Sequence, residues 1–481
     1  MTRRRAYETL QTLIDDNDFE LQDDAEAGEI AEADGTYGTA ILSNPAFATN
    51  KTHRIHRWVN WIAGFSWQFA GDAIDRFVPE GPGRNGAVVL DPFAGVGTTL
   101  IEAKRRGVDC VGFEINPFPY LAAKAELEAA WVDVNLLCMR IQEFGTALRP
   151  IEAAIDIAGV DAAPTPRRTV PTGFRSRVPF FSPKVERKVL LCLDYIDAIE
   201  EAPVADLFRL AFATTMVSFS NYTYEPSLST RPGAGKPLQE NAPVVETIRT
   251  KLVHMADDIS GYARELRRLA RLPEFSLHLG SFFEGASRLG DGSVDLVVTS
   301  PPYLNNYHYV RNTRPHLFWL GFVSSSRDLA HYEEENFGKF WQTVRESAAI
   351  DLDFDMPSLS KRIAELRGLN RHKGIYGGAG WANYAATYFN DGYRFLRELK
   401  RLLRPGGTGV IVVGNNILQG IEFKVDEELV KISESLGLVG HREVVRCQRV
   451  GSSIIGTGLR EKSFRPVELY EAAVIVQKPS A

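Results

Sequence analysis

The segment from Ala87 to Glu114 constrains the fold more than any other part of the chain. Ala87-Val88-Val89-Leu90-Asp91 is a short, unbroken apolar run closed by an acid, the pattern of a parallel strand buried on both faces. Pro92-Phe93-Ala94-Gly95-Val96-Gly97 reads as a turn, Thr98 to Arg106 as a helix, and Gly107 as its stop. Val108 to Ile115 then reads as a second strand, with Glu114 near its end. A strand that returns beside its predecessor after a helical crossover opens a doubly wound sheet. The predicted fold class is therefore α/β with a Rossmann-like sheet, and ligands are expected outside the carboxyl ends of its strands.

The turn sets the chemistry expected there. Glycines at 95 and 97 carry no Cβ, so the backbone can turn tightly and lie against a ligand. The helix that follows directs free N–H groups at the same spot, which suits a carboxylate or a phosphate. Asp91 adds an acid, which repels a pyrophosphate and attracts an ammonium. Leu100 stands where the dinucleotide fingerprint has its third glycine. Both facts favour S-adenosylmethionine, with its amino-acid end and its sulfonium, over a nicotinamide dinucleotide. Glu114 is placed to accept both ribose hydroxyls.

A second apolar run, Val294 to Thr299, leads into Ser300-Pro301-Pro302-Tyr303. The exocyclic amino nitrogen of a nucleobase is a poor nucleophile because its lone pair is delocalised into the ring. Two acceptors placed around it can hold its N–H bonds and draw it towards tetrahedral geometry, which frees the lone pair. Ser300 offers a hydroxyl oxygen, and Pro301, with fixed φ and no N–H, helps present a backbone carbonyl. Pro302 stiffens the loop. Tyr303 offers a flat face to an extracted base, where stacking contributes about 1–3 kcal/mol. The chemistry expected is methyl transfer to an amino group, without a metal.

The two motifs together resemble the cytosine-N4/adenine-N6 DNA methyltransferases, a superfamily with the class I S-adenosylmethionine-dependent fold. The resemblance implies donor binding by Asp91, Pro92, Phe93, Ala94, Gly95, Gly97, Thr98 and Glu114. It implies catalysis by Ser300, Pro301, Pro302 and Tyr303. Serine at the first clamp position is the variant more usual among cytosine-N4 enzymes, and Asn or Asp is commoner for adenine. Asn305-Asn306-Tyr307-His308-Tyr309-Val310-Arg311 continues the likeness, and the helical apolar spacing of Trp58, Ile62, Phe65, Phe69, Ile74 and Phe77 sits where the family keeps its last donor-contacting motif. Gly280-Ser281 replaces the Gly-Asp that the family often uses for the donor's adenine, which makes Ser281 a donor contact by position. The likeness covers about half the chain and not its insertions. Its consequences are a class I sheet with a C-terminal antiparallel hairpin, S-adenosylmethionine as cofactor and DNA as partner; it leaves open a restriction or defence-system partner and the oligomeric state.

The expected organisation is an acidic tail (1–45), a first core part with the donor site (46–130), a helical insertion for target recognition (131–271), a second core part with the clamp (272–322), an irregular insertion or lid (323–383) and a third core part (384–481). The net charge of −6 is concentrated in that tail: residues 15–34 hold ten acids and no Lys or Arg, and the remainder of the chain stands at +4. Such a run is expected to be solvated. Candidate nucleic-acid contacts are Arg167, Arg168, Arg175 and Arg177, interleaved with Phe174, Phe180 and Phe181; His308 and Arg311 beyond the clamp; and Lys361, Arg371 and Lys373 before the glycine-rich 374–380. Cys110, Cys138, Cys192 and Cys447 lack the close pairs of a zinc site or disulfide framework. No apolar run reaches a membrane span, and no signal-peptide core follows Arg3-Arg4-Arg5, so a cytoplasmic protein is expected. Two other functions fit the same residues: an RNA amino methyltransferase, and a subunit that binds nucleic acid and donor without turnover.

Overall fold

The computed structural model describes residues 42–61, 64–78, 81, 84–224, 228–305, 307–448 and 469–480. The acidic run at 15–34 and the side chain of Cys447 lie outside the described residues. Eleven strands are described: β1 (Val88–Asp91), β2 (Asp109–Glu114), β3 (Tyr222–Tyr224), β4 (Leu228–Thr230), β5 (Phe275–Leu279), β6 (Val294–Thr299), β7 (Leu403–Gly414), β8 (Asn416–Leu418), β9 (Ile421–Phe423), β10 (Val439–Gln448) and β11 (Leu469–Gln477). Seven form the central sheet in the order β10-β11-β7-β6-β1-β2-β5. The pairs from β5 to β7 are parallel, and β11 runs antiparallel between β7 and β10. This is the doubly wound class I sheet with its closing antiparallel pair. The strand order reverses at β1/β6, and such a switch point leaves a crevice at the strands' carboxyl ends.

Period-two alternation divides the strands between two cores. Val89, Leu296, Val298, Val410, Val412 and Ile475 face one, whereas Leu90, Val297, Ile411, Val413, Val474 and Val476 face the other. Burial on both sides explains why these strands read as continuous apolar runs. The first core continues through the helices Val134–Ala158, Pro183–Asp197, Ala202–Thr215 and Val244–Leu266, so the helical stretch of 131–271 shares apolar packing with the sheet. The second core takes in the helices Pro357–Gly368, Gly378–Leu402 and Val425–Ser435. No helix among the described residues is long and apolar enough to cross a membrane. Cys110, Cys138 and Cys192 are buried free thiols.

Local structure has four features with identifiable physical causes, and two of them, at 58–77 and 323–383, depart from the sequence expectation. The apolar spacing from Trp58 to Phe77 yields a helix only over Trp67–Phe77, because Ser66 caps it by accepting from Phe69 N at 3.1 Å; Trp58 ends a single 3-10 turn. The chain after β2 forms two helices, Pro117–Glu128 and Val134–Ala158, the second capped by Asp133. Pro405-Gly406-Gly407 lies inside β7, where Gly406 takes φ +76° and the register with β6 shifts. The stretch expected to be irregular contains the helices Ser326–Glu335, started by a Ser325/Asp328 capping box, and Pro357–Gly368, with proline in its first turn.

Candidate active site

The crevice at the switch point holds a cavity of about 330 Å³, and both signature loops line it. Their strands are direct neighbours: Val89 and Leu90 pair with Leu296 and Val297, and Thr299 Oγ1 donates to Asp91 Oδ1 at 2.6 Å. Donor loop and clamp loop thus leave adjacent rungs of one ladder.

The donor loop is built from backbone. Gly95 and Gly97 have φ of +52° and +86°, the left-handed region that β-carbons disfavour. Ala94 N donates to Phe113 O at 2.9 Å, which ties the turn to β2. A Cβ on Gly95 would meet only the indole of Trp61, 3.3 Å away, so this glycine opens onto the cavity. A Cβ on Gly97 would stand 3.0 Å from Ala123 Cβ, so there the missing side chain serves helix packing; Gly97 does not line the cavity. Pro92, Phe93, Ala94, Gly95, Thr98, Glu114 and Ser281 all do. Asp91 does not: it is buried, turned to Thr299 and to Phe93 N (3.1 Å), and burial pushes its carboxyl up to about 6. The acid expected to meet an ammonium is thus a tie between β1 and β6.

Glu114, unlike Asp91, lines the cavity. Its Oε2 accepts from Gly95 N at 2.9 Å and its Oε1 from Asn116 N at 2.7 Å. Burial raises its carboxyl to about 7 against the opposing pull of those N–H groups. Each oxygen keeps a second lone pair for a ribose hydroxyl. Phe282 and Phe283 supply apolar walls beside it. A half-buried acid beside an open glycine, with flat apolar walls, fits the ribose and adenine of S-adenosylmethionine.

The clamp is built from side chains and prolines. Ser300 Oγ donates to Val412 O at 3.3 Å and also lies within hydrogen-bond reach of the Tyr303 hydroxyl. With its proton directed to one of these oxygens, the serine oxygen keeps lone pairs to accept with. Pro301 is buried, and Tyr303 OH donates to Glu471 Oε1 at 3.0 Å. Gly414 lies beside the Tyr303 ring at ordinary contact distance. Burial and the Glu471 charge hold the phenol well above its usual range, so it stays protonated.

Several cavity residues escaped the sequence reading. Phe47 and Trp61 form a wall from the N-terminal segment; Tyr332, Glu335 and Asn336 come from the helix Ser326–Glu335 and its end; Arg446 and Glu471 come from the closing hairpin. Nothing in their local sequence marks them, since each acts through a neighbour remote in the chain. The candidate nucleic-acid residues lie elsewhere, none lining the cavity. Arg167 and Arg168 are committed to Asp194 and Asp197, with Arg168 also donating to Trp319 O at 3.1 Å. Arg175, Arg177, Arg311, Lys361, Arg371 and Lys373 are exposed. His308 caps the helix Tyr309–Trp319 by accepting from Arg311 N and pairs with Glu333 at 3.1 Å. Phe180 and Phe181 are buried, which removes them as wedges or stacking platforms: they pack around Trp319.

Comparison with known proteins agrees with this arrangement. The family described as DNA methylase (N6/N4) matches residues 40–124, which span the Phe47–Trp61 wall, the donor loop and Glu114. Type II methyltransferase M.BsoBI of Geobacillus stearothermophilus is 22% identical over 94% of this chain and 90% of its own length. Type II methyltransferase M.AvaI, from Nostoc sp. and from Anabaena variabilis, is 25% identical over 82% of this chain and 80% of its own. Among solved structures, the rRNA methyltransferase aviRa of Streptomyces viridochromogenes covers 86% of this chain and 85% of its own at 10% identity, and its TM-score of 0.28 is too low to bear on the reading. The sheet order, the two facing loops and the matched segment agree in their likeness to the cytosine-N4/adenine-N6 DNA amino methyltransferases.

Proposed function

We propose that the protein transfers a methyl group from S-adenosylmethionine to the exocyclic N4 amino group of cytosine in DNA. The observation that carries this reading is the single cavity shared by the Gly95 turn, Glu114 and Ser300–Tyr303. Glu114 would hold the donor's ribose, and Gly95 would let the backbone approach it. Bound S-adenosylmethionine supplies an electrophilic methyl group on its sulfonium. Ser300 Oγ and the Pro301 carbonyl accept the two N–H bonds of the target amine and turn its lone pair outward. Tyr303 covers the extracted base, and the surplus proton on the nitrogen passes to solvent. Serine at position 300 favours cytosine-N4 over adenine-N6. The Type II relatives support a site-specific modification enzyme with a restriction counterpart.

The test is chemical. DNA from cells expressing the protein is digested to nucleosides and the methylated species identified. N4-methylcytosine is the expected product; N6-methyladenine would replace the cytosine assignment, and label only in RNA, or none, would overturn the reading.

A further inference from the structure

Two side chains of the cavity wall, Arg446 and Glu471, have no part in the chemistry above. They are direct partners across β10 and β11, and a register shift between Val444 and Arg446 makes them so. Val444 pairs with Ala472 and Arg446 with Glu471, which leaves Val445 as the extra residue of a bulge. In regular register Val445 would stand opposite Glu471 and Arg446 would turn to the other face. The bulge therefore aims the guanidinium into the cavity.

Once there, Arg446 is little used. Its Nη1 reaches Glu471 Oε2 at 3.5 Å, and it makes no other hydrogen bond among the described residues, although its side chain is only 17% exposed. The other oxygen of Glu471 accepts from Tyr303 OH at 3.0 Å, so the guanidinium stands one carboxylate away from the clamp tyrosine. A mostly buried fork with unspent N–H groups suits an acceptor pair.

The base edge beyond the amino group offers such a pair in one case only. In cytosine the amino group is followed by N3 and then the O2 carbonyl, both acceptors. In adenine it is followed by N1 and then a C–H. We propose that Arg446 is a specificity-determining residue, its guanidinium donating to N3 and O2 of the target cytosine, with Glu471 holding it in register with Tyr303. An adenine in the same pocket leaves one donor unpaired. This rests on the cytosine-N4 reading and extends it to how the base is chosen.

The test uses the full-length protein and duplexes carrying the motif found modified in an expressing host. The target position holds either cytosine or adenine. The unsubstituted protein decides the underlying reading, by which base it methylates. Arg446→Gln and Arg446→Lys decide the inference. Each is expected to lower kcat/KM on cytosine by about 10- to 100-fold while adenine is unaffected or improved, so the ratio collapses. Binding of S-adenosylmethionine should be unchanged, which reports an intact fold. If the Gln variant loses donor binding, the Lys variant, which keeps the cation and loses the fork, carries the test. Equal losses on both bases, largely restored by Lys, would assign Arg446 to a phosphate and overturn the proposal; so would an unchanged ratio.

Discussion

The turn after β1 and the loop after β6 leave neighbouring strands, yet they are stabilised in opposite ways. The first is local and made of backbone: positive φ at Gly95 and Gly97, a tie from Ala94 to Phe113, and Glu114 bridging Gly95 and Asn116. The second is stiffened by Pro301 and Pro302 and oriented from far along the chain, by Val412 and Glu471. A site made of nearby backbone tolerates divergence elsewhere. A site braced by remote side chains can be retuned without touching the motif itself.

The sharpest way to break this division is Ser300→Ala. Loss of one amine acceptor should lower turnover by about 100-fold, as small misplacements at a reacting centre do. The S-adenosylmethionine Kd, measured by calorimetry, should stay within about twofold, given that Ser300 acts only on the amine. Equal loss of both would mean that the two loops are not functionally separate.

The next test is pH. The Glu114 carboxyl, raised to about 7 by burial, must be charged to accept ribose hydroxyls at full strength. Donor affinity should therefore weaken as pH falls below 7, by up to about tenfold per unit. Stability should move the other way. A carboxyl whose folded pKa lies above its unfolded value contributes stability that is full below the unfolded pKa of about 4.5 and lost as pH rises through 7. Acid should strengthen this part of the fold while weakening the donor site; a donor Kd independent of pH between 6 and 8 would remove Glu114 from the ribose.

The smallest effect separates the two glycines. Gly97→Ala should cost about 1–2 kcal/mol in thermal or denaturant unfolding, from left-handed strain and the contact with Ala123. Gly95→Ala carries similar strain, but its Cβ enters the cavity beside Trp61, so it should appear mainly as weaker donor binding. Interchanged results would reverse their roles.

The same contrast explains what the sequence made legible. The α/β class, the strand–turn–helix unit and both loops rest on period, glycine and proline, which act within a few residues. Asp91 reads as a ligand acid because an acid at a strand end looks alike whether it turns to a ligand or, as here, to Thr299 of the next strand. Arg167 and Arg168 looked available because Asp194 and Asp197 reach them from the following helix. Trp61, Arg446 and Glu471 were invisible as site residues, their meaning fixed by a bulge, a cap or a sheet neighbour that no local pattern announces.

The adjacency of β1 and β6 also limits how the reaction can be regulated. In the proposed reaction the donor and the target amine are held by loops that leave neighbouring rungs of one hydrogen-bonded ladder. Control then passes to whatever admits or withholds the nucleotide, from the Ser326–Glu335 helix to the Arg446 edge. That rim can change while the spacing of the two loops is kept.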